Sequence, residues 1–178
     1  MIARVPLLHR LDARDRALFV RWVIDELAPA RTTRAWRVLT HAGGVRASVL
    51  AVLVPYFTGT SAVRATATTA GLALLLSHLM VQLVKRRALR ARPSAAVIVP
   101  THVEIPDDYS FPSGHSCAAM SVAFAYATSM PALAVPLVLA ATLVGFSRVR
   151  LGVHYPGDVI VGQALAIAAV LGLRGLGA

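Results

Sequence analysis

Ser147-Arg148-Val149-Arg150-Leu151-Gly152-Val153-His154-Tyr155-Pro156-Gly157-Asp158 is the stretch that decides how this chain folds. Residues 116–147 before it and 159–173 after it carry no charged side chain. A short polar stretch between two apolar segments reads as a connection between two membrane helices. That reading puts Arg148 at the end of one helix and His154 and Asp158 at the start of the next, where the bilayer meets water. His154 and Asp158 are four residues apart, and so share a face if that part of the chain is helical. Pro156 and Gly157 leave the helix start open, and the contact can equally form across a turn. A carboxylate bonded to one imidazole nitrogen fixes the tautomer and frees the other nitrogen for nucleophilic attack. The same aspartate also reads as a cap on the following helix.

Composition extends this to the whole chain. The 178 residues are 57% hydrophobic with a mean hydropathy of +0.67, against roughly 45–50% apolar residues in ordinary soluble domains. There are 18 Lys+Arg against 8 Asp+Glu, a net charge of +10. Basicity with long uncharged stretches argues for a membrane protein and against a nucleic-acid partner. The length fits one domain. A single cysteine, Cys117, excludes an internal disulfide framework. Residues Met1 to Arg37 are arginine-rich without a long apolar core, and so do not read as a cleavable signal peptide.

The pattern predicts an all-α, polytopic membrane helical bundle, with residues 1–46 as a basic amphipathic arm and 47–178 as the transmembrane core. Asp12–Leu27 reads as an amphipathic helix: Leu11, Leu18, Phe19, Trp22, Val23 and Leu27 recur at helical spacing, with Arg14, Asp15, Arg21 and Asp25 opposite. Such a helix lies in the interfacial plane or packs on its own protein. Five spans are expected: Ala47–Val63, Ala65–Val84, two cut from Ser116–Ser147 at Met130-Pro131, and Val159–Leu173. Sixteen of the 18 Lys and Arg then fall on one face, with Arg64 and Arg174 opposite. The positive-inside rule puts the basic face in the cytoplasm of a multi-pass plasma-membrane protein.

Two further motifs fall on that face. Lys85 is followed after six residues by Arg92-Pro93, and about two helical turns, if the segment stays helical, would return both cations to one side. Pro112-Ser113-Gly114-His115 opens an uncharged helix. Serine is a favoured N-cap, glycine allows close approach of a ligand, and free amides at a helix start attract anions. Arginine offers a fork matched to phosphate oxygens, and lysine a point charge. Arg86, Arg87 and Arg90 have the simpler reading of a juxtamembrane patch against anionic lipid. His78 reads as a packed polar residue or a supporting neighbour of Lys85. His9, His41 and His102 lack partners at metal-ligand spacing, and Cys117 reads as helix packing.

The three motifs, complete at 85–93, 112–115 and 147–158, resemble the signatures of the type 2 phosphatidic acid phosphatase (PAP2) superfamily. The resemblance runs from about Ala47 to the C-terminus and implies a six-helix membrane phosphatase, one helix more than is visible here. It implies His154 as nucleophile, Asp158 as its orienting partner and His115 as the acid that protonates the leaving alkoxide. Lys85, Arg92, Ser113, Gly114 and Arg148 would hold the phosphate oxygens. It further implies a phosphoric monoester hydrolase with no cofactor and no metal, in keeping with the lack of a carboxylate cluster suited to Mg²⁺ in the sequence. The Ala-, Arg- and Val-rich composition suggests a GC-rich genome such as an actinobacterium's, and in that setting the sequence resembles the actinobacterial members of the family that remove the 5-phosphate from decaprenylphosphoryl-5-phosphoribose for cell-wall arabinan synthesis. Undecaprenyl diphosphate, phosphatidic acid and phosphatidylglycerophosphate are the alternative lipid-linked substrates. The alternative outside enzymes is a membrane protein that only binds anionic lipid.

Overall fold

The computed structural model describes residues 6–96, 101–105 and 107–177, with side chains described from residue 12 onward, residue 96 excepted. Arg4, the side chains of Arg10 and Leu11, and part of the Ser94–Pro112 loop lie outside the described residues. Eight helices make up the regular structure described: α1 Pro6–Trp22, α2 Ala30–His41, α3 Val45–Thr58, α4 Ser61–Ala88, α5 Pro93–Ala96, α6 Gly114–Ser129, α7 Pro131–Arg150 and α8 Pro156–Gly175. One isolated antiparallel bridge joins Ala91 to Tyr109.

The helical bundle matches the sequence expectation, but the five spans do not all appear. Helices α4, α7 and α8 are long and apolar enough to cross a membrane, and α2 with α3, bent by 48°, supplies a fourth if the pair is one span. The expected span Ala47–Val63 is cut short because the chain leaves the helix at Gly59 and Thr60 and Val63 belongs to α4. The 14 residues of α3 reach only about 21 Å, and the 16 of α6 about 24 Å. The split at Met130-Pro131 is as expected, with proline in the first turn of α7.

Small residues let these helices approach closely. Helix α6 is central, packed between α4, α7 and α8, and buries Ala119, Ala123 and Ala127. Opposite stand Ala70 and Ala73 of α4, Ala141 of α7 and Ala166 and Ala169 of α8, all buried. The hydroxyls of Ser77 and Ser121 meet at 2.8 Å across α4 and α6. At Gly162 a Cβ would stand 2.5 Å from the Ser113 carbonyl, so only glycine lets the starts of α6 and α8 touch. Outward, α4 exposes Leu75, Leu79 and Leu83, and α7 exposes Val135 and Leu139. A continuous apolar exterior of this kind is what a lipid-facing surface requires.

The N-terminal region differs from its expectation. The amphipathic helix ends at Trp22 rather than Leu27, and Leu27 is exposed. Asp15, expected on the solvent face, turns inward with Asp12, and Phe19 is fully buried against Tyr155 and Val159. Residues 12, 15, 19 and 22 form one stripe at helical spacing, and that stripe docks α1 on its own protein.

Candidate active site

Four helix ends converge on one end of the bundle: the C-termini of α4 and α7 and the N-termini of α6 and α8. The segment from Lys85 to Arg92 is not two continuous turns. Helix α4 stops at Ala88, and Leu89 takes a left-handed conformation with φ 47°. The reversal, held by the Ala91–Tyr109 bridge, still brings both cations together, with Asp107 between them. Lys85 Nζ lies 2.9 and 2.8 Å from the two Asp107 carboxylate oxygens and donates to the Tyr109 carbonyl at 3.0 Å. Arg92 donates from Nη2 to Asp107 Oδ1 at 2.9 Å and from Nε to the Asp107 carbonyl at 2.6 Å. Burial acts to raise the Asp107 pKa, but the Lys85 and Arg92 contacts outweigh it and hold the carboxyl below its usual range.

His154 precedes α8 and is buried. Its Nδ1 is 2.7 Å from the Ser110 carbonyl and 3.5 Å from Asp158 Oδ2. A carbonyl only accepts, so Nδ1 carries the proton and Nε2 keeps its lone pair. Nε2 faces Arg92 Nη1 at 3.3 Å. Burial pushes the His154 pKa down to about 4; Asp158 acts to raise it, and the Arg148 and Arg92 cations lower it further. At any pH well above that value the ring is neutral and Nε2 is able to attack.

Asp158 is fully buried and does two jobs. Its Oδ2 accepts from the Tyr155 amide at 2.8 Å, capping α8, and its Oδ1 accepts from Arg90 Nη1 at 2.6 Å. The contact to His154 is therefore made across the turn, at the longer distance. Arg90 is not a free lipid-facing cation. It lies against Asp12, Asp15 and Asp158, with its guanidinium 4.1 Å from the Tyr155 ring centroid. Arg86 and Arg87 do remain exposed.

Arg148 is 2% exposed and donates from Nη1 to Thr40 Oγ1 at 2.8 Å. Its Nε is buried without a hydrogen-bond partner, and no carboxylate pairs with it among the described residues. A buried guanidinium with no counter-charge is costly unless an anion joins it. Ser113 is buried, its amide donates to the Asp158 carbonyl at 2.9 Å and its hydroxyl accepts from Ser116 at 2.9 Å. Gly114 has open space where a side chain would stand. His115, second residue of α6, makes no side-chain hydrogen bond among the described residues, and the α2–α3 turn closes over it. A Cβ on Gly43 would stand 2.7 Å from its carbonyl. His78 is exposed, lies 3.3 Å from Gln82 and lines a small cavity with Gly114, with no hydrogen bond to the site residues among the described residues.

Asp107, the Ser110 carbonyl, Arg90, Asp12, Asp15 and Thr40 are the members that motif reading did not find. Among the described residues no three His, Cys, Asp or Glu side chains gather as a metal-holding group.

The same architecture occurs in solved structures, a transmembrane phosphatase among them. A PAP2-type phosphatidylglycerolphosphate phosphatase from Bacillus subtilis superposes with a TM-score of 0.70 at 23% identity, over 94% of this chain and 86% of that one. Aquifex aeolicus LpxE gives 0.73 at 20% identity, over 87% and 91%. In sequence, the chain is 40% identical over 98 residues to the decaprenylphosphoryl-5-phosphoribose phosphatase of Mycobacterium tuberculosis, covering 54% of this chain and 52% of that protein. It is 35% identical over 128 residues to the Mycolicibacterium smegmatis protein of the same name, over 71% and 68%. Undecaprenyl-diphosphatase BcrC of Bacillus subtilis is 34% identical over 102 residues, over 57% and 50%. In the first of these relatives the match spans about half the length. The PAP2 superfamily profile matches residues 66–175, which include all three motifs. This chain belongs to the PAP2 superfamily.

Proposed function

We propose that the protein is a membrane lipid-phosphate phosphatase that works through a phosphohistidine at His154. The observation that carries this reading is Arg148, a buried guanidinium without a carboxylate among the described residues, near a histidine whose unprotonated Nε2 faces Arg92 at 3.3 Å. A phosphate monoester dianion answers both features. It supplies the counter-charge for Arg148 and presents phosphorus to Nε2.

In this mechanism the Nε2 lone pair forms a bond to phosphorus as the bond to the lipid-side oxygen breaks. Arg92, Arg148 and Lys85 neutralise the non-bridging oxygens, the α6 amides beside Gly114 add donors, and His115 gives a proton to the departing oxygen. The new positive charge on the His154 ring is stabilised by Asp158. Water then attacks phosphorus, His115 takes its proton, and the N–P bond breaks to release inorganic phosphate. Lys85 and Arg92 already share Asp107, so an incoming phosphate competes with that carboxylate.

The substrate favoured by the mycobacterial relatives is a polyprenylphosphoryl-5-phosphoribose, from which the 5-phosphate is removed. The basic end of the bundle is then cytoplasmic, because among the described Lys and Arg only Arg64 and Arg174 sit at the opposite end. The match to an undecaprenyl-diphosphatase favours a second reading, a carrier-lipid diphosphatase using the same residues. A phosphate-release assay in detergent with EDTA, run across polyprenylphosphoryl phosphoribose, undecaprenyl diphosphate, phosphatidic acid and phosphatidylglycerophosphate, separates them. Highest kcat/KM on the phosphoribose lipid is expected; preference for the diphosphate selects the second reading, and no release from any of them removes the phosphatase reading.

A further inference from the structure

Arg90 fills one of the six unspecified positions of the first motif, yet it makes the shortest polar contact to Asp158. Its Nη1 is 2.6 Å from Asp158 Oδ1 and 2.8 Å from Asp15 Oδ2, while Nη2 is 2.7 Å from Asp12 Oδ1. Asp15 in turn accepts from the Gly157 amide at 2.7 Å, at the first turn of α8. A Cβ on Gly157 would stand 2.8 Å from Asp15 Oδ2, so any side chain there would displace the Asp15 carboxylate from its present position. The Tyr155 ring supports the guanidinium from one side. Three carboxylates from α1 and α8 thus converge on one cation from the α4–α5 connection.

An exposed ion pair contributes little. Here Asp158 is fully buried and Arg90 is 21% exposed. One Asp158 oxygen serves the Tyr155 amide and faces His154, and the other is held by Arg90. Without Arg90 the carboxylate loses its only charged partner among the described residues besides His154 itself. It is then held by the Tyr155 amide alone, and better able to take the His154 Nδ1 proton. Both changes impair a histidine that must gain positive charge while keeping its orientation.

We propose that Arg90 is a positioning residue for His154, acting through Asp158, and that α1 belongs to the catalytic machinery because Asp12 and Asp15 aim the Arg90 guanidinium. The inference rests on the phosphohistidine reading above. Around His154 the charged and titratable groups are Asp158 of α8, Arg92 after α4, Arg148 of α7 and His115 of α6; Arg90 acts on this set from behind Asp158.

The test uses the full chain in detergent, with dioctanoyl phosphatidate as substrate and active sites counted by the phosphoenzyme burst. Wild type, His154→Ala, Arg90→Gln, Arg90→Lys and Asp15→Asn are compared. Arg90→Gln is expected to lower kcat per active site by about 10–100-fold, the range typical of groups that orient a functional histidine, with KM nearly unchanged. Arg90→Lys, which restores the charge without the fork, recovers part of that loss, and Asp15→Asn falls between Gln and wild type. A latch that only stabilises the fold would lower the number of active sites and leave kcat per site alone, which overturns the proposal. A rise in KM with unchanged kcat also overturns it. If Arg90→Gln does not fold, wild-type kcat in both Arg90→Lys and Asp15→Asn is the overturning result. A wild type inactive on phosphatidate and on every other lipid phosphate of the panel above, or an active His154→Ala, sinks the phosphohistidine reading and this proposal with it; an active wild type with indifferent Arg90 variants sinks this proposal alone.

Discussion

Replacing Arg148 by methionine should make the protein more stable and nearly inactive at once. The guanidinium is 2% exposed, has one hydrogen bond to Thr40 and leaves Nε without a partner. An unpaired buried donor costs about 1–3 kcal/mol, and more when charged. Methionine follows the same path with no polar atom to satisfy, at the expense of about 1 kcal/mol for the lost Thr40 bond. Replacing buried charges by apolar groups of similar volume often stabilises proteins in this range. The net gain is about 1–2 kcal/mol, or a rise in melting temperature of about 2–8 °C for a chain of this size. Activity should fall about 10²–10³-fold, as when one donor to a developing oxyanion is removed. The assay pairs a thermal melt in detergent with phosphate release, and repeats the melt with vanadate. Vanadate should raise the wild-type melting temperature and leave that of Arg148→Met unchanged. If Arg148→Met melts several degrees below wild type, Arg148 is holding the fold and the phosphate-clamp argument is refuted.

Three other outcomes follow from the same geometry. His115→Ala should slow hydrolysis of alkyl phosphates about 10²–10⁴-fold and spare p-nitrophenyl phosphate, whose leaving group needs no proton; equal losses on both substrates would exclude a general-acid role. Asp107→Asn should lower KM and the inhibition constant of inorganic phosphate, because the carboxylate that shares Lys85 and Arg92 is gone; a raised KM would mean that Asp107 preorganises the cations instead. In a Cys117→Ala background, Asp108→Cys should resist an impermeant maleimide in intact cells while Ser61→Cys reacts, and the reverse pattern would put the site on the outer face.

The motifs were legible because each pairs a chemical residue with a helix end, and helix ends are marked by proline, glycine and the stop of an apolar run. Lys85, Arg92, Ser113, His154 and Asp158 meet for that reason. The span count was less legible. The uncharged run 47–63 hides the break at Gly59 and Thr60, where Thr60 caps a new helix, and hydropathy does not register a cap. Arg90 looked like any juxtamembrane arginine, since its partners Asp12 and Asp15 lie more than 70 residues away and come near only when α1 docks. The acceptor for His154 Nδ1 is the carbonyl of Ser110, a group every residue possesses, and so carries no sequence signature. Asp158 was expected to orient His154; most of its hydrogen bonding goes to Tyr155 and Arg90, which explains why one aspartate supported both the capping and the catalytic reading.

The central claim is a covalent bond between His154 and phosphorus. Rapid quench of the purified protein with a radiolabelled short-chain lipid phosphate, followed by peptide mapping, tests it directly. The account predicts an acid-labile, alkali-stable phosphoramidate on the peptide containing His154, formed within one turnover and absent from His154→Ala. Turnover by His154→Ala near the wild-type rate, with no labelled histidine in either protein, would contradict it.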